Sequence, residues 1–579
     1  MRHALRSRLR LVFFILAAFA LLLIVRLYFV QILKGEEYAL RAERQFANAN
    51  SQLYDRGTIY FTRKDGTLIS AATLTTGFIV ALNPKVLEDP EAAYALVAGH
   101  VEVDREDFMR KAAKLDDPYE VIVEEVPEEA GAAIAEAEMD GVLVIRSRWR
   151  TYPAANAAAQ TIGFIGHDES DAVVGRYGLE RYYEDSLSRQ GSGLFGNFFA
   201  ELFANVGDVV ADARDARAGD LVTSIEPVVL QKLDEMLIDI NTRYSSAETG
   251  GIIMDPKTGE IIALDVVPSF DPNDFKDADA SVFGNPLVEK RYEFGSIVKA
   301  LTMASGIDSG VITPGTYYND QGCMTLNTKT FCNFDLKARG SVPMQEVLSQ
   351  SLNMGAAFIA GELGHGRMKD YFTRLGMDTE TGIDLPVEIR GTLANLSVDR
   401  DINFATASFG QGIAQTPMEM IRALGVLAND GMIVTPHLVT AVKLESGIEK
   451  ELSWGSPQPV MKSASTATVS AMLAHVVDTA LLNGDASIPE MSVAAKTGTA
   501  QIANPEGGYY ADKYFHSFFG YFPAYEPRFI ILLYTREPKG VQYASETLTS
   551  SFIELTKFLA NYYAVPPDRD PVAVSDEPV

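Results

Sequence analysis

The apolar positions are distributed unevenly from the start of the chain. Leu11 to Val25 is an unbroken apolar run, LVFFILAAFALLLIV, interrupted by Arg26 and continued by LYFVQIL to Leu33. The first run alone falls short of the roughly 20 residues that cross a bilayer, but the extension to Leu33 restores the length and Arg26 can snorkel towards the interface. No small-x-small cleavage site follows, so the pattern predicts an uncleaved membrane helix over 11–33. The basic segment 1–10 (MRHALRSRLR) then stays in the cytoplasm, and everything after the helix lies outside the cytoplasmic membrane. LKGEEYALRAERQ reads as helix continuing into a stalk. DRGTIYFTRKDGTLIS alternates around a Lys64–Gly66 turn and predicts a hairpin. DPEAAYALVAGH and PEEAGAAIAEAE carry helical periodicity, and GRYGLERYYEDSL reads as a helix whose aromatic face packs inwards.

A boundary falls near ARAGDLVTSIEP. Beyond it come a helix (VVLQKLDEMLIDINTRY), a strand (GGIIMDP), a turn (KTG) and a second strand (EIIALDVV). Helices with a few strands follow until FIILLYT and the helix SETLTSSFIELTKFLANYYA. VPPDRDPVAVSDEPV is rich in Pro and Asp and predicts disorder. The expected division is a mixed α+β domain over 34–225, a second and larger domain over 226–564, and a tail over 565–579. A length of 579 residues fits two or more soluble domains.

Composition removes several function classes. A net charge of −27 argues against a nucleic-acid partner. The histidines are scattered, with no His-Glu-x-x-His, and no phosphate-binding Gly-x-x-x-x-Gly-Lys loop occurs, so no metal or organic cofactor is implied. The only cysteines are Cys323 and Cys332, in GCMTLNTKTFCNF. A hairpin turning at Asn327-Thr328 would set them opposite each other within disulfide range, and an extracytoplasmic compartment permits the bond. Two buried free thiols fit the same sequence.

Three short segments hold candidate chemistry. In RYEFGSIVKALTMASGID, Ser296 precedes a helix apolar on most faces, and Lys299 lies on the same face one turn later. Burial lowers a lysine's pKa and makes it a base for a serine nucleophile, while the helix N-terminus suits a developing oxyanion. Ser-x-x-Lys alone also fits a capping serine with a surface lysine. In EVLSQSLNMGAAFIAGELG, Ser351 and Asn353 interrupt an apolar segment, and a buried Asn must find partners; a helix cap is the alternative. In SVAAKTGTAQIA, Lys496, Thr497, Gly498 and Thr499 stand at the edge of what reads as a buried strand.

Ser-x-x-Lys with Ser-Asp-Asn and Lys-Thr-Gly is the signature of penicillin-binding proteins and class A β-lactamases, and here the three occur in that order with leucine in the middle element, Ser351-Leu352-Asn353. The chain resembles a class B penicillin-binding protein, an FtsI-type membrane-anchored peptidoglycan D,D-transpeptidase, from the anchor to about Ala564. DRGTIYFTRKDGTLIS and GRYGLERYYEDSL are similar to the family's pedestal (dimerisation-type) motifs. GGIIMDPKTGEIIALDVVPSFDPNDF is similar to the opening of its transpeptidase domain, and ATASFGQGIAQTPMEM and TGIDLPVE are similar to the division branch. Phe294 and Ala300 stand where the family often has proline; neither is a reacting group.

The resemblance implies a five-stranded antiparallel sheet between helices. It also implies that Ser296 attacks the penultimate D-Ala carbonyl of a stem peptide and Lys299 takes its proton. Ser351 would relay a proton to the leaving amine, and Asn353 would hold the substrate amide. Lys496, Thr497 and Thr499 would bind the terminal carboxylate, Gly498 would clear space for the substrate backbone, and the N–H groups of Ser296 and Thr499 would form the oxyanion hole. Implied partners are D-Ala-D-Ala stem peptides, β-lactams as covalent inhibitors, a membrane glycan polymerase and division proteins. An elongation-type transpeptidase and a D,D-carboxypeptidase remain alternatives. So do a β-lactamase or β-lactam sensor, although no Glu-x-x-Leu-Asn segment is present, and a non-catalytic division scaffold.

Overall fold

The computed structural model describes residues 55–169, 172–188, 218–444 and 447–569. The expected membrane helix, its basic flank and the stalk lie outside the described residues, as does 570–579. The described residues pack into two units: one is made of 55–56 and 74–150, the other of 57–73, the stretch 151–188 and everything from 218 on. This grouping differs from a single cut near 225, because 57–73 and 151–188 pack with the C-terminal part of the chain.

The strand β1 (Leu68–Leu82) contributes residues to both units. In the smaller unit its second half pairs antiparallel with β2 (Glu120–Pro127), from Gly77 opposite Pro127 to Leu82 opposite Glu120, and β3 (Val142–Thr151) also joins it. The helices are α1 (Pro90–Ala98), α2 (Arg105–Ala112) and α3 (Glu128–Glu136). Asp89 and Asp104 cap the first two by accepting from backbone N–H groups of the first turn. Ala93, Val97, Phe108 and Ile134 bury against Val80, Leu82 and Val126.

In the larger unit α4 (Pro227–Tyr244) leads into β4 (Glu248–Met254) and β5 (Ile261–Val267). Next come α5 (Val298–Asp308), a hairpin of β6 (Cys323–Leu326) and β7 (Lys329–Cys332), α6 (Asn353–Leu363), α7 (Pro417–Gly425) and α8 (Ser463–His475). The chain then forms β8 (Ala494–Ala503), β9 (Tyr509–Phe522), β10 (Phe529–Arg536) and α9 (Thr549–Tyr562). The five-stranded sheet runs β8-β9-β10-β4-β5 and is antiparallel throughout. β10 and β4 are central and buried on both faces, which is why FIILLYT and GGIIM read as continuous apolar runs. Glycines let helices approach: Gly251 sits against Leu233 and Leu237 of α4, and Gly520 against Phe552 of α9. On the opposite face Met254 meets Gly425 of α7, and α8 packs on β8. The sheet therefore lies between helices, with α5 buried all round beside α7 and α8.

A Cβ at Gly520 would stand 2.4 Å from Phe552 Cζ and 2.9 Å from Ala494 O. Gly520→Ala is therefore expected to cost about 2–3 kcal/mol by overpacking, read as a lower urea midpoint with unchanged slope.

The hairpin pairs 326 with 329, 325 with 330, 324 with 331 and 323 with 332, the register expected from its sequence. Asn327 and Thr328 adopt φ +47 and +68, the left-handed pair of a two-residue turn. Cys323 and Cys332 are joined by a disulfide, with Cα atoms 4.0 Å apart. Two expectations change. GRYGLERYYEDSL forms two short helices, Gly178–Tyr182 and Glu184–Leu187, joined at Tyr183, whose hydroxyl donates to Asp384 Oδ2 at 3.0 Å. The start of the expected tail is attached: Val565 is buried, Asp568 Oδ1 accepts from Ser492 N at 2.7 Å, and Arg569 pairs with Asp478 at 2.7 Å.

Candidate active site

Ser296 sits in a single 3-10 turn, Gly295–Ile297, that leads into α5. Two distant segments hold this turn. Gly295 N donates to Gly410 O at 3.1 Å, and a Cβ on Gly410 would stand 2.2 Å from Gly295 O, so the two backbones touch where only glycine fits. From β9, Ser517 Oγ donates to Phe294 O at 2.8 Å. Ser296 itself is half-buried.

Lys299 is one turn further on and only 1% exposed. Its Nζ lies 2.9 Å from Ser296 Oγ, 2.7 Å from Ser351 O and 3.2 Å from Ser351 Oγ. Burial, and then the neighbouring Lys496, push its pKa well below the ordinary lysine value. A lysine held this far below its ordinary value gives up its proton more readily, and its nitrogen stands within hydrogen-bond reach of the Ser296 hydroxyl.

Ser351 lies between the helix Met344–Ser349 and α6 with φ +54, a left-handed conformation that costs a serine about 1 kcal/mol or more. That conformation turns both its carbonyl and its hydroxyl to Lys299. Lys496 approaches from the edge strand β8, 2% exposed, with Nζ 3.1 Å from the same Ser351 Oγ and donating to Thr497 O at 3.0 Å. Among the described residues no carboxylate pairs with either lysine. Two buried amines thus meet at the Ser351 hydroxyl with no counter-charge among the described residues, an arrangement that favours an anionic ligand.

Burial lowers the Lys496 pKa from 10.5 to about 7. Between those two values the unfolded chain binds a proton that the folded chain lacks, so stability rises with pH across that window, and the full penalty is present below it. Lys496→Met is expected to flatten this rise, read as the urea-derived unfolding free energy at about pH 7 and about pH 9.

The remaining predicted residues divide. Thr497 and Thr499 alternate with Lys496 and Gly498 along β8 and are half-buried, and Thr499 Oγ1 accepts from Ala544 N at 3.0 Å. A Cβ on Gly498 would stand 2.3 Å from Ser517 Oγ and 2.5 Å from Phe294 O, so within the protein this glycine admits the Ser296 turn. Asn353 Nδ2 donates to Cys332 O at 2.8 Å, tying the first residue of α6 to the disulfide hairpin. The sequence reading missed Gly410, Ser517 and Phe409, whose ring centroid lies 6.0 Å from Lys299 Nζ. SFGQG served there as a branch marker only, although its glycines were the available signal of a close backbone approach.

Comparison with known proteins gives a consistent picture. Residues 249–554 match the penicillin-binding protein transpeptidase domain model and residues 53–192 the penicillin-binding protein dimerisation domain model. Similar curated proteins include stage V sporulation protein D of Bacillus subtilis, 26% identical over 92% of this chain and 82% of that protein. The peptidoglycan D,D-transpeptidase FtsI homolog of Mesostigma viride is 25% identical over 97% of this chain and 96% of that protein. Among solved structures, penicillin-binding protein 3 of Mycobacterium tuberculosis in complex with aztreonam has a TM-score of 0.67 at 21% identity, covering 90% of this chain and 98% of that one. Penicillin-binding protein 2X of Streptococcus thermophilus has a TM-score of 0.71 at 17% identity, covering 88% and 80%.

Proposed function

The chain belongs to the penicillin-binding protein transpeptidase family, and from that premise we propose that it cross-links peptidoglycan stem peptides through an acyl-enzyme on Ser296. One observation carries the reading: Lys299 Nζ lies 2.9 Å from Ser296 Oγ and 3.2 Å from Ser351 Oγ, and Lys496 Nζ lies 3.1 Å from that same Ser351 Oγ, a continuous path for one proton. Neutral Lys299 takes the Ser296 hydroxyl proton as Oγ bonds to the carbonyl carbon of the penultimate D-Ala. The C–N bond to the terminal D-Ala breaks, and its amine leaves with a proton passed through Ser351. An acceptor amine then attacks the ester carbonyl, gives up a proton along the same path, and returns Ser296 as the free alcohol. Lys496, with Thr497 and Thr499, binds the terminal carboxylate, which restores the cation by supplying its missing counter-charge. Asn353 holds the donor amide, and the N–H groups of Ser296 and Thr499 receive the oxyanion. β-Lactams would acylate the same serine.

Residues 11–33 would anchor the chain, residues 34–225 would serve as a pedestal, and the transpeptidase domain over 226–564 would work outside the cytoplasmic membrane. Its place would be septal wall synthesis beside a membrane glycan polymerase and division proteins, and relatives named peptidoglycan D,D-transpeptidase FtsI support the transpeptidase part of that reading. The test is a synthetic stem peptide ending in D-Ala-D-Ala with an amine acceptor. Release of D-Ala with formation of the cross-linked amide supports transpeptidation. Release with only the hydrolysed acid would assign a carboxypeptidase, and no release would leave a scaffold.

A further inference from the structure

The disulfide hairpin touches the proposed site at the residue that follows its bond. Cys332 O accepts from Asn353 Nδ2 at 2.8 Å. Asn333, 1% exposed, accepts at Oδ1 from Met354 N in the first turn of α6, at 3.2 Å. Its Nδ2 donates to both carboxylate oxygens of Asp320, each at 2.9 Å, and Asp320 is itself 1% exposed. Phe331, on the same strand as Cys332, packs on Phe409 at 5.7 Å between ring centroids, and the Phe409 ring centroid lies 6.0 Å from Lys299 Nζ. The hairpin therefore reaches the reacting groups by two routes, through Asn353 and through Phe409. A hairpin with four paired residues a side is marginal alone, and here the bond closes its open end, next to Asn333.

We propose that the Cys323–Cys332 hairpin is a positioning element for the Ser351–Asn353 wall, with Asn333 as its key positioning residue, so that Ser296 reaches full acylation rate only when the disulfide is formed. The proposal rests on the functional reading above. It makes the site conditional on an oxidising compartment: a dithiol that gives two hydrogens to the two sulfurs, and is itself oxidised to a disulfide, frees the strand carrying Cys332 O and Asn333 and lets Asn353 drift. Asn353 has two amide hydrogens, and the one spent on Cys332 O is what orients the group for the donor peptide.

The experiment follows acylation by a fluorescent penicillin in the full-length protein, oxidised, reduced with excess dithiothreitol, and reoxidised. Reduction is expected to lower the limiting acylation rate about tenfold, with the half-saturating penicillin concentration changed less than about twofold, and reoxidation to restore it. Asn333→Ala, with the bond intact, is expected to reproduce the same split, which covers the case in which a Cys323→Ser/Cys332→Ser variant fails to fold. Reduced protein that keeps its thermal transition and acylates at the oxidised rate overturns the proposal, as does a loss confined to half-saturation. If the oxidised protein is not labelled on Ser296 at all, the functional reading fails instead.

Discussion

Replacing Lys299 by alanine is expected to slow acylation of Ser296 by about 10³-fold, the usual loss when a positioned general base is removed. Lys299 is buried, has no carboxylate partner among the described residues, and has its pKa held well below normal by burial and by Lys496. In the wild type the acylation rate should rise with pH as the amine loses its proton, and in Lys299→Ala that rise should disappear. Lys299→Arg should not rescue, because a guanidinium keeps its proton at every working pH. Stability separates this reading from a structural one. A buried amine without a counter-charge costs free energy, so Lys299→Met, which fills similar space, is expected to be at least as stable as the wild type while remaining inactive. A lysine that served to tie α5 to Ser351 would instead leave a less stable protein on replacement. Rate against pH and urea unfolding of the same variants check both halves.

Ser296→Ala is expected to remove turnover altogether, a loss on the order of 10⁶-fold, because the acyl group is carried on the Ser296 oxygen. The fold should hardly notice. Ser296 is half-buried, its turn is pinned by Gly410 O and Ser517 Oγ rather than by its own hydroxyl, and Lys299 Nζ keeps Ser351 O at 2.7 Å. A change of less than about 1 kcal/mol in unfolding free energy is expected. Single-turnover assays with the stem-peptide donor and denaturant unfolding measure the two effects independently.

The parts of the site that were legible in the sequence are those where side-chain type carries the chemistry. Ser296 and Lys299 are one helical turn apart, so their meeting needs only the helix. Ser351 and Lys496 were legible as motif members, but their convergence on one hydroxyl position depends on the sheet bringing an edge strand to the start of a buried helix. The hairpin register was legible because a two-residue turn leaves one pairing that faces the cysteines. What stayed hidden depends on backbone groups. Cys332 accepts from Asn353 through its carbonyl, Gly410 accepts from Gly295, and Phe294 accepts from Ser517, and a carbonyl leaves no mark in residue type. Gly498 shows the same limit. The family resemblance gives it the task of making room for a substrate backbone, and the structure adds that a Cβ there would meet Phe294 O and Ser517 Oγ. The attached start of the tail was missed because a segment rich in Pro and Asp reads as disordered, yet Asp568 and Arg569 each find a partner across the fold.

The account depends on one alcohol being activated by one buried amine, and mass-spectrometric mapping of the adduct left by a fluorescent penicillin tests that most directly. One adduct per chain, on the peptide containing Ser296, formed faster as pH rises and absent from Ser296→Ala, is the predicted result. An adduct on any other residue, or labelling that persists in Ser296→Ala, would contradict it.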